Sequence, residues 1–199
     1  MSGSQQPFTK LGSAEVPAVA QLGELGAEAQ ALVPAATGPE GFVASLVDAG
    51  LLQDAVRFLA YSLRPREGVW WACLAARAYV EAGYPVQPVD SDALTAAEAW
   101  VFKPDEDNRR AAYDRAMATG FQTPASWAAM ASFWSGGSIA PANLPVVPPP
   151  PNALGRAIWG AVIIASVTNP KSPEDMENRH KAFLSQGIDI AQGGNGRPK

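Results

Sequence analysis

The stretch Arg64–Val80, RPREGVWWACLAARAYV, decides how the chain is read. Pro65 suits the first position of a helix, where its missing N–H has no partner to lose. Val69, Ala72, Cys73, Ala76 and Val80 then fall at three- and four-residue steps, the period of one helix face. Trp70 and Trp71 stand about 100° apart around such a helix, so they widen its apolar stripe instead of stacking. A stripe that wide calls for cover on two sides. This helix is therefore expected to have several others packed around it.

Helix signals continue on both sides. Upstream, Thr37 precedes Glu40 by three positions, the spacing of a capping box. The helix that follows turns Phe42, Val43, Leu46 and Val47 inward and stops at Gly50. Leu52–Leu63 comes next, with Ala55, Val56, Phe58, Leu59 and Leu63 inward, and Gly83 ends the tryptophan helix. Downstream, two prolines make Tyr84–Val89 a loop. Ser91 is the expected cap of a helix to Phe102, which Pro104 breaks. Asp105, Glu106 and Asp107 open another, three carboxylates at the positive end of the helix dipole. Thr123-Pro124 reads as cap and first turn of a helix through Trp134. Asn152–Thr168 is strongly apolar, and Ser172, Pro173 and Glu174 start a last helix to about Ile190. No segment alternates over a strand's length. The fold class is all-α, an irregular bundle or α-hairpin array of about seven or eight short helices.

Residues 1–36 have few large apolar side chains and are interrupted by Gly12, Pro17, Gly23, Gly26 and Pro34. They are expected to be a flexible N-terminal arm, with a weak or partner-dependent helix over Val19–Val33. Residues 37–194 form a single helical domain. Within it, residues 138–151 make a Pro-rich connector whose four consecutive prolines enforce a polyproline-II spacer. Residues 195–199 are expected to fray as a disordered tail.

Composition excludes several classes. The 199 residues are 47% hydrophobic, enough for a real core. A net charge of −4 leaves no basic surplus for a general nucleic-acid binder. One cysteine makes no internal disulfide. The N-terminus lacks the charged-then-apolar order of a signal peptide, and the twin arginine Arg109-Arg110 lies in mid-chain. The most apolar run, Ala157–Val167, is too short to span a bilayer. A soluble cytoplasmic protein is the expectation.

Chemistry-bearing residues are sparse. His180, flanked by Arg179 and Lys181, reads as part of an exposed basic face. Cys73, amid an apolar helix, reads as a small hydrophobe rather than a reactive thiol. The acidic run Asp105–Asp107 is explained by its helix start, and Glu98 by pairing with an arginine. Ser135-Gly136-Gly137-Ser138 lacks the lysine and spacing of a phosphate-binding loop and follows a helix. No catalytic, metal or cofactor set is assigned. The most informative local group is Arg64, Arg66 and Glu67 beside Trp70 and Trp71, because arginine over indole makes a cation–π contact and both residue types concentrate in binding hot spots. Pro148, Pro149 and Pro150 suit an aromatic-lined groove, on a partner or on this protein's own tryptophans.

Three segments resemble an uncharacterised bacterial all-helical family sometimes found near type VI secretion genes: RPREGVWWACLAARA (Arg64–Ala78), AAEAWVFKPDEDNRRAAYDRA (Ala96–Ala116) and TPASWAAMASFWSGGSIAP with the prolines to Pro150. FLSQGIDIAQGG near the C-terminus fits as well. The resemblance covers roughly residues 38–194 and implies no catalytic residue. It implies an accessory, adaptor or regulatory role around a secretion apparatus.

These readings converge on a non-enzymatic protein–protein interaction module, with Arg64, Arg66, Glu67, Trp70, Trp71 and Pro148–Pro150 as partner-binding residues. A helical protein with a small-molecule or lipid pocket lined by Trp70, Trp100, Trp127 and Trp134 is the alternative from another class, and an exported secretion substrate is a third. Partner identity and oligomeric state lie beyond composition and spacing.

Overall fold

Helix α8 (Pro124–Phe133) is buried on nearly every side, from Pro124 to Phe133, with only Trp127 half-exposed in the computed structural model. A helix apolar all round has to lie inside. Alanine and serine dominate its surface, so neighbours approach closely. It packs against α5 (Pro65–Glu81), α6 (Pro88–Phe102), α7 (Glu106–Met117) and α9 (Ala153–Val167). Its serines send their hydroxyls back to the local main chain, Ser126 to the Thr123 carbonyl at 2.7 Å and Ser132 to the Ala128 carbonyl at 3.1 Å. That satisfies polar groups which would otherwise be buried alone. The hub is thus α8, and the tryptophan helix α5 is one of the layers around it.

The structure describes residues 6–141 and 143–197. Ten α-helices lie among them, completed by α1 (Val16–Leu22), α2 (Ala27–Leu32), α3 (Pro39–Asp48), α4 (Leu52–Ser62) and α10 (Pro173–Ala191), with a short 3-10 turn at Val33–Ala35. Among the described residues there is no strand beyond the isolated bridge between Leu11 and Leu63. The all-α class holds, and the count exceeds seven or eight because α1 and α2 fall in the expected arm. Among the described residues no helix is long and apolar enough to cross a membrane.

Of that arm, residues 1–5 lie outside the described residues, but the chain from Phe8 onward is packed rather than free. Val16, Val19 and Ala20 of α1, with Leu25 and Ala29, are buried. α1 packs on α4 and α2 on α3. The segment before α1 is stapled by main-chain bonds: Lys10 N–H donates to the Ala191 carbonyl at 3.0 Å and Arg64 N–H to the Lys10 carbonyl at 3.0 Å. Small residues and glycines, read as a sign of mobility, here permit close packing.

Two expected caps move. Helix α3 starts from Gly38 with Pro39 at its first position, so Thr37 is not the cap. Glu40 reaches away from its helix and accepts the Phe8 N–H at 2.6 Å. Helix α6 begins at Pro88, earlier than Ser91, and Asp90 accepts the Gln87 N–H at 2.9 Å. The other oxygen of Asp90 takes the Thr123 hydroxyl at 2.8 Å, a buried link between the starts of α6 and α8. Asp105 and Ser172 cap α7 and α10 with their side chains.

Trp71 is fully buried, with its indole N–H donating to the Phe183 carbonyl at 3.1 Å. α10 lies so close that a Cβ at Gly187 would stand 2.7 Å from the indole ring. Only glycine leaves room for that ring.

The Pro-rich connector is not a free spacer. Ile139 N–H donates to the Val147 carbonyl at 2.8 Å, and the Ser138 hydroxyl accepts N–H groups from Ala140 and Val147. Arg109 and Arg110 both donate to the Ser138 carbonyl. The loop is therefore closed at its base while Leu144, Val146 and Val147 stand exposed.

Candidate functional site

Four segments distant in sequence meet beside Trp70. Lys10 comes from the N-terminal segment, Arg66, Glu67 and Trp70 from the first turns of α5, Val101 and Phe102 from the end of α6, and Ile190 with Gly193–Asn195 from the C-terminus. They line a groove of about 390 Å³. Trp70, Val101 and Ile190 supply apolar surface, and Lys10, Arg66, Glu67 and Glu98 supply charges of both signs. Phe102 is 85% exposed on this groove.

The helix ends explain the placement. Pro65 starts α5 so that Arg66 lies in its first turn, and the Arg66 guanidinium donates from Nε to the Val101 carbonyl at 2.7 Å. Val101 sits in the last turn of α6, where carbonyls lack helix partners and a cation is favoured. Glu67 faces Lys10, 3.9 Å between charged atoms. Arg64 turns the other way, donating from Nε to the Leu11 carbonyl at 3.2 Å. Glu98 is gripped by Arg77 through two bonds of 2.7 and 2.5 Å, the arginine pairing expected of it.

The C-terminal tail, expected to fray, is seated through Arg197. Gly194 N–H donates to the Asp189 carbonyl at 2.8 Å and Gly196 N–H to the Asp189 carboxylate at 2.8 Å. The Trp70 indole N–H donates to the Asn195 carbonyl at 2.8 Å, and the Arg197 guanidinium lies 5.2 Å from the Trp70 ring. The cation–π contact expected from Arg64 or Arg66 is made by Arg197 instead. Pro198 and Lys199 lie outside the described residues.

Of the residues selected from sequence, Arg66, Glu67 and Trp70 share this groove. Trp71 does not, because its ring is committed to the core. Arg64 points to Leu11, and Pro148–Pro150 are not among the residues that line it. Pro148 and Pro150 are exposed and Pro149 half-buried. Lys10, Phe102, Asn195 and Arg197 were not selected. An apolar residue directly before Lys103-Pro104, at a helix end, was the signal available for Phe102. Convergence of the two chain ends left no local signal.

Of the four tryptophans of the pocket alternative, Trp70 lines the groove, while Trp127 and Trp134 are half-buried against the core. Trp100 is buried, and Trp127 packs edge-on to Phe121 at 5.5 Å with its N–H on the Phe121 carbonyl at 3.2 Å.

Elsewhere, His180 overturns its expected exposure. It is only 3% exposed, with Nδ1 2.9 Å from the Met176 carbonyl and Nε2 unpartnered. Its ring faces inward while Arg179 and Lys181 take the polar side of α10. Burial pushes the Cys73 thiol well above its ordinary range, which disfavours the thiolate a nucleophile needs. Among the described residues no three His, Cys, Asp or Glu side chains gather as a metal-binding group.

The geometry so far is that of an all-helical domain with an amphipathic groove where its two ends meet. Residues 42–191 match the Family of unknown function (DUF6931), and the chain belongs to that family. The matched span includes the α5 and α6 walls of the groove, while Lys10 and Gly193–Arg197 flank it. No curated protein and no solved structure matches the chain.

Proposed function

We propose that this protein is a non-enzymatic interaction module, an adaptor or accessory protein that holds a protein partner through the Trp70–Phe102 groove. The observation that carries the reading is Phe102, 85% exposed beside a groove lined by Trp70, Val101 and Ile190. Covering a phenylalanine side chain contributes roughly 1.5–3 kcal/mol, more than most contacts at an interface. Lys10, Arg66, Glu67 and Glu98 around it provide the polar rim that fixes orientation. The resemblance of Arg64–Ala78 and its companion segments supports a bacterial partner belonging to a secretion apparatus, met in the cytoplasm.

A photo-crosslinking amino acid placed at Phe102 in the native host tests this. One protein is expected to be captured from that position and not from Leu22, an exposed apolar residue of α1 outside the groove. Capture that is equal at both positions, or none at Phe102, sinks the reading.

A further inference from the structure

The tail of this chain is seated on Trp70 in a way that specifies a ligand. We infer that the Trp70 face is a peptide-binding site for a glycine-containing, arginine-bearing extended segment of a partner protein, and that Gly193–Arg197 fills it as an internal ligand. The inference rests on the docking reading above and names the chemistry of what docks.

Each part of the strap is recognised by a separate group. The Trp70 indole N–H takes the Asn195 carbonyl, and the Asp189 carboxylate takes the Gly196 N–H. Gly196 has φ +69°, and a Cβ there would stand 2.8 Å from both Leu74 and Ile190. That position reads glycine by its backbone conformation, the facing atoms being methyl ends of Leu74 and Ile190. Arg197 follows, its guanidinium 5.2 Å from the indole ring, in a hollow it shares with Glu81, Glu98 and Arg77. A carbonyl, an N–H, a glycine and a guanidinium in succession make a sequence-selective set.

The strap is also removable. Trp70 lines both the groove toward Phe102 and the hollow of about 520 Å³ toward Glu81 and Gln186. The strap divides them, and lifting it joins both into one trench with Trp70 in the middle. α10 ends at Ala191, and Lys10 is bonded to that residue rather than to the strap. Displacement gives up the bonds by which Gly193 and Gly194 close the end of α10 but leaves the bond between α10 and the N-terminal segment in place. A tethered strap acts at an effective concentration on the order of millimolar, so a free peptide competes with it poorly until it is released.

The probe is a fluorescently labelled peptide with the chain's own residues 191–199, AQGGNGRPK, read by polarisation. A chain truncated after Gln192 is expected to bind it at least tenfold more tightly than the full-length chain. Replacing the peptide's arginine by alanine, or Trp70→Phe in the truncated chain, is expected to reverse that gain. Full-length Gly196→Ala keeps the whole tail but strains its seat at φ +69°, and is expected to show the same gain if truncation impairs folding. Equal binding to intact and strap-released chains, binding indifferent to the arginine and to Trp70, or no binding to either released chain overturns the inference. Crosslinking at Phe102 that persists beside a failed peptide overturns only the ligand assignment. Loss of that crosslink falls on the docking reading itself.

Discussion

Arg109 donates from Nη1 to the Phe133 carbonyl at 2.7 Å while its guanidinium carbon stands 4.8 Å from the centre of the Phe133 ring. The same side chain, 4% exposed, holds the Ser138 carbonyl at 2.7 Å and the Glu106 carboxylate at 2.6 and 2.8 Å. One arginine of α7 thus ends α8 and anchors the loop that follows it.

Replacing Arg109 with alanine leaves the buried Phe133 carbonyl without this donor and opens the base of the connector. Arg109→Ala is expected to lower unfolding free energy by about 2–4 kcal/mol, the range for a broken buried network. Arg109→Lys is expected to recover less than half, since lysine lacks the planar fork. Urea denaturation checks both, and faster proteolysis within residues 139–147 should accompany the loss.

Glu106 gives a pH dependence with a definite sign. Its hydrogen bonds from Arg109, then from Arg110, hold its carboxyl down from about 4.5 to about 2. The unfolded chain therefore takes up the proton first, and the stabilisation is present above pH 4.5 and fades as pH falls toward 2. The carboxylate is half exposed, so solvent screens much of the effect. Thermal melts from pH 6 to pH 2 are expected to fall less steeply for Glu106→Gln than for the parent chain.

Gly187 and Trp71 give a steric prediction. Gly187→Ala forces a methyl group against the buried indole and is expected to cost about 2–4 kcal/mol through displaced packing. Trp71→Phe makes room for that methyl but leaves the Phe183 carbonyl without its donor. The double variant is expected to be more stable than the two separate losses would add up to, because the sites are in contact. A double-mutant cycle by chemical denaturation measures this.

Cys73 is expected to be silent toward a thiol reagent at pH 8 in the folded chain and to react at the rate of unfolding. Following colour release from a disulfide reagent with and without denaturant checks it. Prompt reaction under native conditions would contradict the burial of the thiol.

Most helices could be read from local signals because those signals act locally. Pro65, Asp105, Thr123 and Ser172 stand at or just inside helix starts, and the structure begins α5, α7, α8 and α10 there. Glu98 found its arginine. Signals with a distant partner misled: Thr37 and Glu40 match a capping box, but Glu40 bonds to Phe8, thirty-two residues away. His180 between two cations looked exposed because sequence adjacency on a helix is not adjacency on a face.

By itself the sequence determined an all-helical chain, most helix boundaries from α3 onward, a buried Cys73 and a helix around Trp70 and Trp71, because propensity, capping and periodicity are set within a few turns. The tertiary structure alone decided that α8 is the hub, that residues 8–36 are packed, that Trp70 and Trp71 part company, and that Lys10, Phe102 and Asn195 share one groove. Those outcomes depend on how closely small residues let helices approach and on where distant chain ends meet, and neither leaves a mark within a short window of sequence.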